Sequence, residues 1–191
     1  MSIYRHNKVL VTGGARSGKS TFAERLCAAE HSQAWYIATA QAADDEMRER
    51  VRLHRQQRQE SGYVWEIDEE PMNLAGLLRR RAEEDNAPVL LIDCLTLWLS
   101  NVLLHYEHDP NVQEQVMRQV DELVAAIETY PGAIILVTNE VGDGIVPAYP
   151  LGRLYRDLVG TANRRIAEVC SRVFLVTAGI PIELKSREYR L

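Results

Sequence analysis

The string "GGARSGKS" sets Gly13, four further residues, then Gly18, Lys19 and Ser20, which fits G-x-x-x-x-G-K-[ST] without a mismatch. Each residue type there suits the holding of a polyphosphate. Glycines let backbone N–H groups turn inward around phosphate oxygens. Lys19 brings a positive charge to the β and γ phosphates, and the Ser20 hydroxyl can ligate Mg²⁺. A helix beginning at this point adds its positive dipole end. Further on, "VLLIDC" closes an apolar run with Asp93. A carboxylate in that place can hold Mg²⁺ directly or through water. It can also cap a helix starting at Leu95, since Asp is a good N-cap. "TNEVGDGIVP" sets Asn139 and Glu140 where a switch-like or substrate-facing loop belongs, although Asn, Asp, Gly and Pro are also plain turn residues.

His54 lies in "DDEMRERVRLHRQQR", a charged, helix-favouring stretch. On a helix Met47, Val51 and His54 share a face, so the histidine falls on the apolar stripe. By residue type it fits a half-buried packing residue, a metal ligand or a nucleophile. The basic residues from Arg48 to Arg58 form either a local positive patch or a solvated helix face. His6, His31, His105 and His108 match no motif. His105 and His108 have i, i+3 spacing, but no third ligand accompanies them, and they read as surface residues near a turn at Asp109-Pro110.

These groups need elements to position them. Short, continuously apolar runs occur at 8–12, 34–39, 88–93, 133–138 and 172–177. Runs that do not alternate indicate strands buried on both faces. Helical stretches are expected at roughly 18–30, 44–60, 72–86, 95–106, 111–130 and 151–170. Strand–helix alternation means βαβ units: an α/β fold with a mostly parallel central sheet and helices on both faces. Ligands of such sheets bind at the carboxyl ends of the strands. With the phosphate-binding loop after the first strand, the expected fold is P-loop NTPase-like.

Composition narrows the class. At 191 residues the chain is expected to be a single nucleotide-binding domain spanning 1–191. The 46% hydrophobic and 26% charged content is ordinary for a globular protein. A formal charge of -5 argues against sequence-independent nucleic-acid binding, so no nucleic-acid partner is expected. Cys27, Cys94 and Cys170 are widely spaced and form no C-x-x-C, so reduced thiols in a cytoplasm are the expectation. "MSIYRHNKVLVTGG" lacks the shape of a signal peptide, and no segment has the apolar length to span a bilayer. "TNEV" has the Asn of the guanine-reading [NT]-K-x-D motif but neither its Lys nor its Asp. A kinase or nucleotidyl transferase is therefore the stronger class. A kinase for some other small-molecule hydroxyl and a non-catalytic nucleotide switch remain as alternatives.

Four blocks, "LVTGGARSGKS", "YIATAQAADDEMRERVRLHRQQR", "LLIDCLTLWLSNVL" and "VTNEVGDGIVPAYPLGRLYRDLVGTANRRIAEV", occur in this order. Together they resemble the bifunctional adenosylcobinamide kinase / adenosylcobinamide-phosphate guanylyltransferase family of cobalamin biosynthesis, from about Lys8 to Lys185. The first block is generic to many families; the second and fourth carry the resemblance.

The resemblance implies two reactions. ATP or GTP phosphorylates the aminopropanol hydroxyl of adenosylcobinamide; GTP then donates GMP to that phosphate, through a GMP–histidine, to give adenosylcobinamide-GDP. In "RVRLH" the position matching the family's histidine is His54, which with Lys19 makes the implied catalytic pair. The implied nucleotide contacts are Gly13, Gly14, Ala15, Arg16, Ser17, Gly18, Lys19 and Ser20, then Ala38, Thr39 and Ala40. They continue through Arg55, Gln56, Gln57 and Arg58 to Glu69 and Asp93. Ser20 and Asp93 are the implied Mg²⁺ residues. The family also implies a homotrimer with sites near subunit interfaces. As a nucleophile, the neutral imidazole would attack an α-phosphorus with pyrophosphate leaving. Arg55 and Arg58 would neutralise charge on the phosphates.

Overall fold

The computed structural model describes residues 8–41 and 61–189. Its elements run β1 (Lys8–Thr12), α1 (Lys19–Glu30), β2 (Gln33–Ala38), β3 (Val64–Glu69), α2 (Leu74–Ala82), β4 (Leu90–Asp93), α3 (Leu95–His105), α4 (Val112–Thr129), β5 (Ile134–Val137), α5 (Pro150–Val169), β6 (Arg172–Thr177) and β7 (Ile180–Glu183). The strands make one sheet in the order β3-β2-β4-β5-β1-β6-β7. Every pairing is parallel except β6–β7. This is the expected α/β architecture. The five apolar runs are all strands, and the helical stretches outside 44–60 are all helices. The stretch 44–60, with His54 and Arg55 to Arg58, lies outside the described residues.

Strand periodicity splits the core in two. Val9, Val11, Tyr36, Leu91, Ile135 and Val137 face α1, where Ala23 and Cys27 are fully buried. Leu10, Ile37, Leu90, Ile92, Ile134 and Leu136 face the other way, onto α2, α3, α4 and α5. Successive residues of one strand thus serve opposite layers, which is why these strands read as unbroken apolar runs. The far end of α1 is pinned to β6 by a bidentate pair, Arg172 donating to both carboxylate oxygens of Glu30 at 2.6 Å.

Two strands are additional to the sequence expectation, and both are edges. β3, "VWEIDE", is mostly exposed, so it carries none of the continuous apolar character of a central strand. β7, "IPIE", is antiparallel and holds Pro181, which has no N–H to give a ladder. Because β3 precedes it, the strand ending at Asp93 is the fourth in the chain rather than the third.

Lys8 is 1% exposed, and its ammonium donates to the carbonyl oxygens of Tyr130 and Gly132, tying β1 to the turn before β5. Burial holds its pKa down at about 8, against a smaller upward pull from Cys170. The unfolded chain therefore holds more protons than the folded one between about pH 8 and 10.5, so this group's contribution to stability rises with pH across that window. Compared by urea unfolding at pH 7.5 and 9.5, the wild type should gain on the order of 1 kcal/mol over Lys8→Met. A pH-independent difference would mean that burial does not perturb Lys8.

Candidate active site

The loop between β1 and α1 is built as its sequence requires. Gly18 has φ +92°, and Arg16 also sits in the left-handed region at φ 56°. At Gly13 a Cβ would come within 2.4 Å of the Val176 carbonyl oxygen, so no side chain fits there. The loop is tied down on three sides. Ser17 N–H donates to the Gly14 oxygen at 3.3 Å, Glu140 N–H to the Gly13 oxygen at 3.1 Å, and Gly179 N–H to the Ser17 oxygen at 2.9 Å. Lys19 is buried at 9% exposure, its Nζ donating to the Gly14 oxygen at 3.2 Å. Gly14, Ala15 and Arg16 face solvent, while Ser20 is half-buried at the first turn of α1. Ser17 Oγ and Thr12 Oγ1 are buried without a hydrogen-bond partner.

Strand register brings Ala38, Glu69 and Asp93 to the same edge. Ala38 is paired with Glu69 on one side and Asp93 on the other. Asp93 is paired with Val137, and Val137 with Val11. One row across the sheet thus reads Glu69, Ala38, Asp93, Val137, Val11, with the loop just beyond its last member. At ~4.8 Å per strand, Glu69 lies about 19 Å along this row from β1. Glu69 is exposed and far from the loop, whereas Asp93 is half-buried and two strand spacings from β1.

Asp93 does not cap α3. The N-cap is Cys94, with no side-chain capping bond, and the Asp93 carboxylate instead accepts from the Tyr36 hydroxyl at 3.1 Å. Burial first, and then the Asp93 charge, push the Cys94 thiol above its ordinary pKa; the bond to Thr96 and the Lys19 charge pull it back. Carboxylate and ammonium are thus felt at one buried thiol. Ala38 and Ala40 are half-buried. Thr39 is fully buried, its hydroxyl donating to the Cys94 oxygen at 2.7 Å and accepting from the Cys94 N–H at 2.8 Å. That pair locks the carboxyl ends of β2 and β4 together.

Polar residues that matched no motif complete this edge. Asn101 donates to the Thr39 oxygen at 2.9 Å. Asn139 donates to the Thr96 hydroxyl at 3.0 Å, and Asn163 to the Asn139 oxygen at 3.1 Å. Thr138 donates to Asn163 Oδ1 at 2.7 Å. Asn163 and Thr96 lie inside helical patterns, where one polar residue gives no signal in a single sequence. Asn139 therefore belongs to a half-buried polar scaffold, and the Glu140 carboxylate accepts from the Gly142 N–H at 2.8 Å, shaping the next loop. His105 and His108 are exposed, and no cluster of metal-ligating side chains occurs among the described residues. The three cysteines are free and buried.

The model of one family, cobinamide kinase / cobinamide phosphate guanyltransferase, matches residues 9–184. The chain belongs to that family. Membership makes it a transferase with two activities, a kinase and a guanylyltransferase, whose substrates are cobinamide and nucleotides. It is 46% identical over 176 residues to the bifunctional adenosylcobalamin biosynthesis protein CobP of Pseudomonas aeruginosa, covering 92% of this chain and 96% of that one. It is 40% identical to the similarly named CobU of Escherichia coli, covering 93% and 99% of the two chains. A solved structure of a prototypical ATPase from the type III secretion system of pathogenic bacteria aligns with a TM-score of 0.53 at 11% identity. That likeness covers 97% of this chain and 59% of the ATPase, and it shows the P-loop NTPase fold of the family member. No helix among the described residues is long and apolar enough to cross a membrane.

Proposed function

We propose that this family member acts in adenosylcobalamin biosynthesis, phosphorylating adenosylcobinamide with ATP or GTP and then transferring GMP from GTP onto the new phosphate. The observation that carries the reading is the row at the carboxyl edge of the sheet, which gathers the phosphate loop, Asp93 and 38–40 in one place. In the first step the aminopropanol hydroxyl oxygen attacks the γ-phosphorus and its proton is released to water, while the bond to the β,γ-bridging oxygen breaks and the nucleoside diphosphate leaves with that electron pair. Lys19 and backbone N–H groups of the loop 13–20 stabilise the charge that builds on the transferred group.

Ser20 and Asp93 fit an Mg²⁺ ion. Both offer hard oxygen donors, and Asp93 is tied to Tyr36 rather than spent on a helix cap. When bound, the ion would neutralise phosphate charge. Asp93→Asn keeps the shape and the Tyr36 bond but loses the negative charge. The Mg²⁺ concentration for half-maximal phosphorylation should rise about tenfold or more, matching a loss of ~1.5–3 kcal/mol, with partial recovery at high Mg²⁺. An unchanged Mg²⁺ titration would remove Asp93 from the metal site.

In the second reaction a ring nitrogen of His54 attacks the α-phosphorus of GTP, and pyrophosphate leaves with the bridging-bond electrons. The phosphate oxygen of adenosylcobinamide phosphate then attacks the same phosphorus, and the imidazole leaves. Arg55 and Arg58 neutralise charge on the phosphates, and Gln56, Gln57 and Glu69 are further nucleotide contacts. His54 and 55–58 lie outside the described residues; their roles rest on the match of the chain to the family pattern. The enzyme works as a homotrimer of one-domain subunits in the cytoplasm. Incubation with adenosylcobinamide, ATP, GTP and Mg²⁺, followed by mass spectrometry, tests the whole reading. Appearance of the phosphate and then of adenosylcobinamide-GDP supports it; unreacted corrinoid refutes it.

A further inference from the structure

Glu140, whose N–H donates to the Gly13 oxygen, leads from β5 into a second loop, "VGDGIVPAY", that carries apolar side chains outward. Ile145 is 97% exposed, Val146 58% and Tyr149 64%. Three large apolar groups within five residues form a surface that water does not favour. The backbone beneath them is held. The Glu140 carboxylate accepts from Gly142 N–H, Arg156 donates to the Gly142 oxygen, and Arg153 donates to the Pro147 and Ala148 oxygens at 3.1 and 2.7 Å. α5 thus pins both ends of the loop. A loop ordered in advance gives up little conformational freedom when a ligand lands on it.

We propose that Ile145, Val146 and Tyr149 form the platform for the corrin ring of the acceptor substrate, resting on the functional reading above. The nucleotide phosphates call for N–H groups and cations, which the loop 13–20 supplies, and not for exposed aliphatic groups. The acceptor is different: a corrin macrocycle has broad apolar faces fringed by amides. From Val141 to Tyr149 the loop holds one charged side chain, Asp143. The loop starts one residue after Glu140, whose N–H donates to the Gly13 oxygen, and it leaves the sheet at the same edge as the phosphate loop, so the ring is placed here with its aminopropanol arm toward the transferred phosphate.

The test compares wild type with Ile145→Ser/Val146→Ser and with Tyr149→Ser. All three positions are exposed, so folding is not at stake in the way it is for a core residue. Measurements are the KM for adenosylcobinamide, the Kd for ATP and GTP, and the oligomeric state by light scattering. The proposal expects the KM for adenosylcobinamide to rise about tenfold or more in the double variant, since burying one aliphatic side chain alone gives such a factor. Nucleotide Kd and mass should stay at wild-type values, and Tyr149→Phe should keep most of the affinity that Tyr149→Ser loses. An unchanged KM beside normal wild-type turnover overturns the platform and leaves the functional reading standing. A change of oligomeric mass overturns it too, because the loop would then be an interface between copies of the chain. A wild type that does not turn over adenosylcobinamide refutes the functional reading, and the platform with it.

Discussion

Lys19→Ala is expected to cut phosphorylation of adenosylcobinamide by about 10–150-fold, the equivalent of ~1.5–3 kcal/mol for one charged hydrogen-bonding contact. The ammonium is nearly buried and faces the Gly14 carbonyl inside the loop. On the proposed mechanism its charge sits against the β and γ phosphates and counts most as the bond to the leaving diphosphate breaks. The fold should survive. Lys19 is the first residue of α1, alanine is the best helix former, and the core on this face is made by Ala23 and Cys27. Circular dichroism and a thermal melt on the same sample check that point. Near wild-type phosphorylation by a folded variant would remove Lys19 from the catalytic machinery.

His54→Ala is expected to separate the two activities. Formation of adenosylcobinamide-GDP should fall about a thousandfold or more, the scale seen when a covalent nucleophile is removed. Phosphorylation should persist, because the loop 13–20 and Asp93 are untouched. A nucleotide-binding assay guards against misfolding: GTP affinity retained with guanylyl transfer lost isolates the nucleophile. Normal guanylyl transfer in this variant would place the nucleophile elsewhere.

The central fold was legible because its physics is local. A strand buried on both faces must be apolar at every position, and Leu90–Asp93 and Ile134–Val137 are, up to the polar residue at the ligand edge. The phosphate loop was legible because its backbone dictates its side chains, with Gly18 at positive φ and Gly13 against a carbonyl. β3 and β7 were not, because edge strands are half-solvated and need no apolar run. Nor was the scaffold of Thr39, Thr96, Asn101, Asn139 and Asn163. Those residues are distant in the chain and meet only once the register sets Ala38 beside Asp93 and Asp93 beside Val137. Asn139 and Glu140 divided in a way residue type does not reveal: one amide joins the scaffold, while one carboxylate braces a loop. The assignment to His54 rests on resemblance, since charge and periodicity fit packing, metal binding and catalysis alike.

The most direct measurement is the fate of labelled GTP. The protein is incubated with GTP carrying label on the α or the γ phosphate, then digested, and labelled peptides are identified by mass. The account expects α-label to remain bound, on the peptide containing His54, and γ-label to be lost. The adduct should be stable to alkali and cleaved by acid, because protonation turns the imidazole of a phosphoramidate into a good leaving group. No α-label on protein that makes adenosylcobinamide-GDP, or label on a peptide without His54, would contradict it.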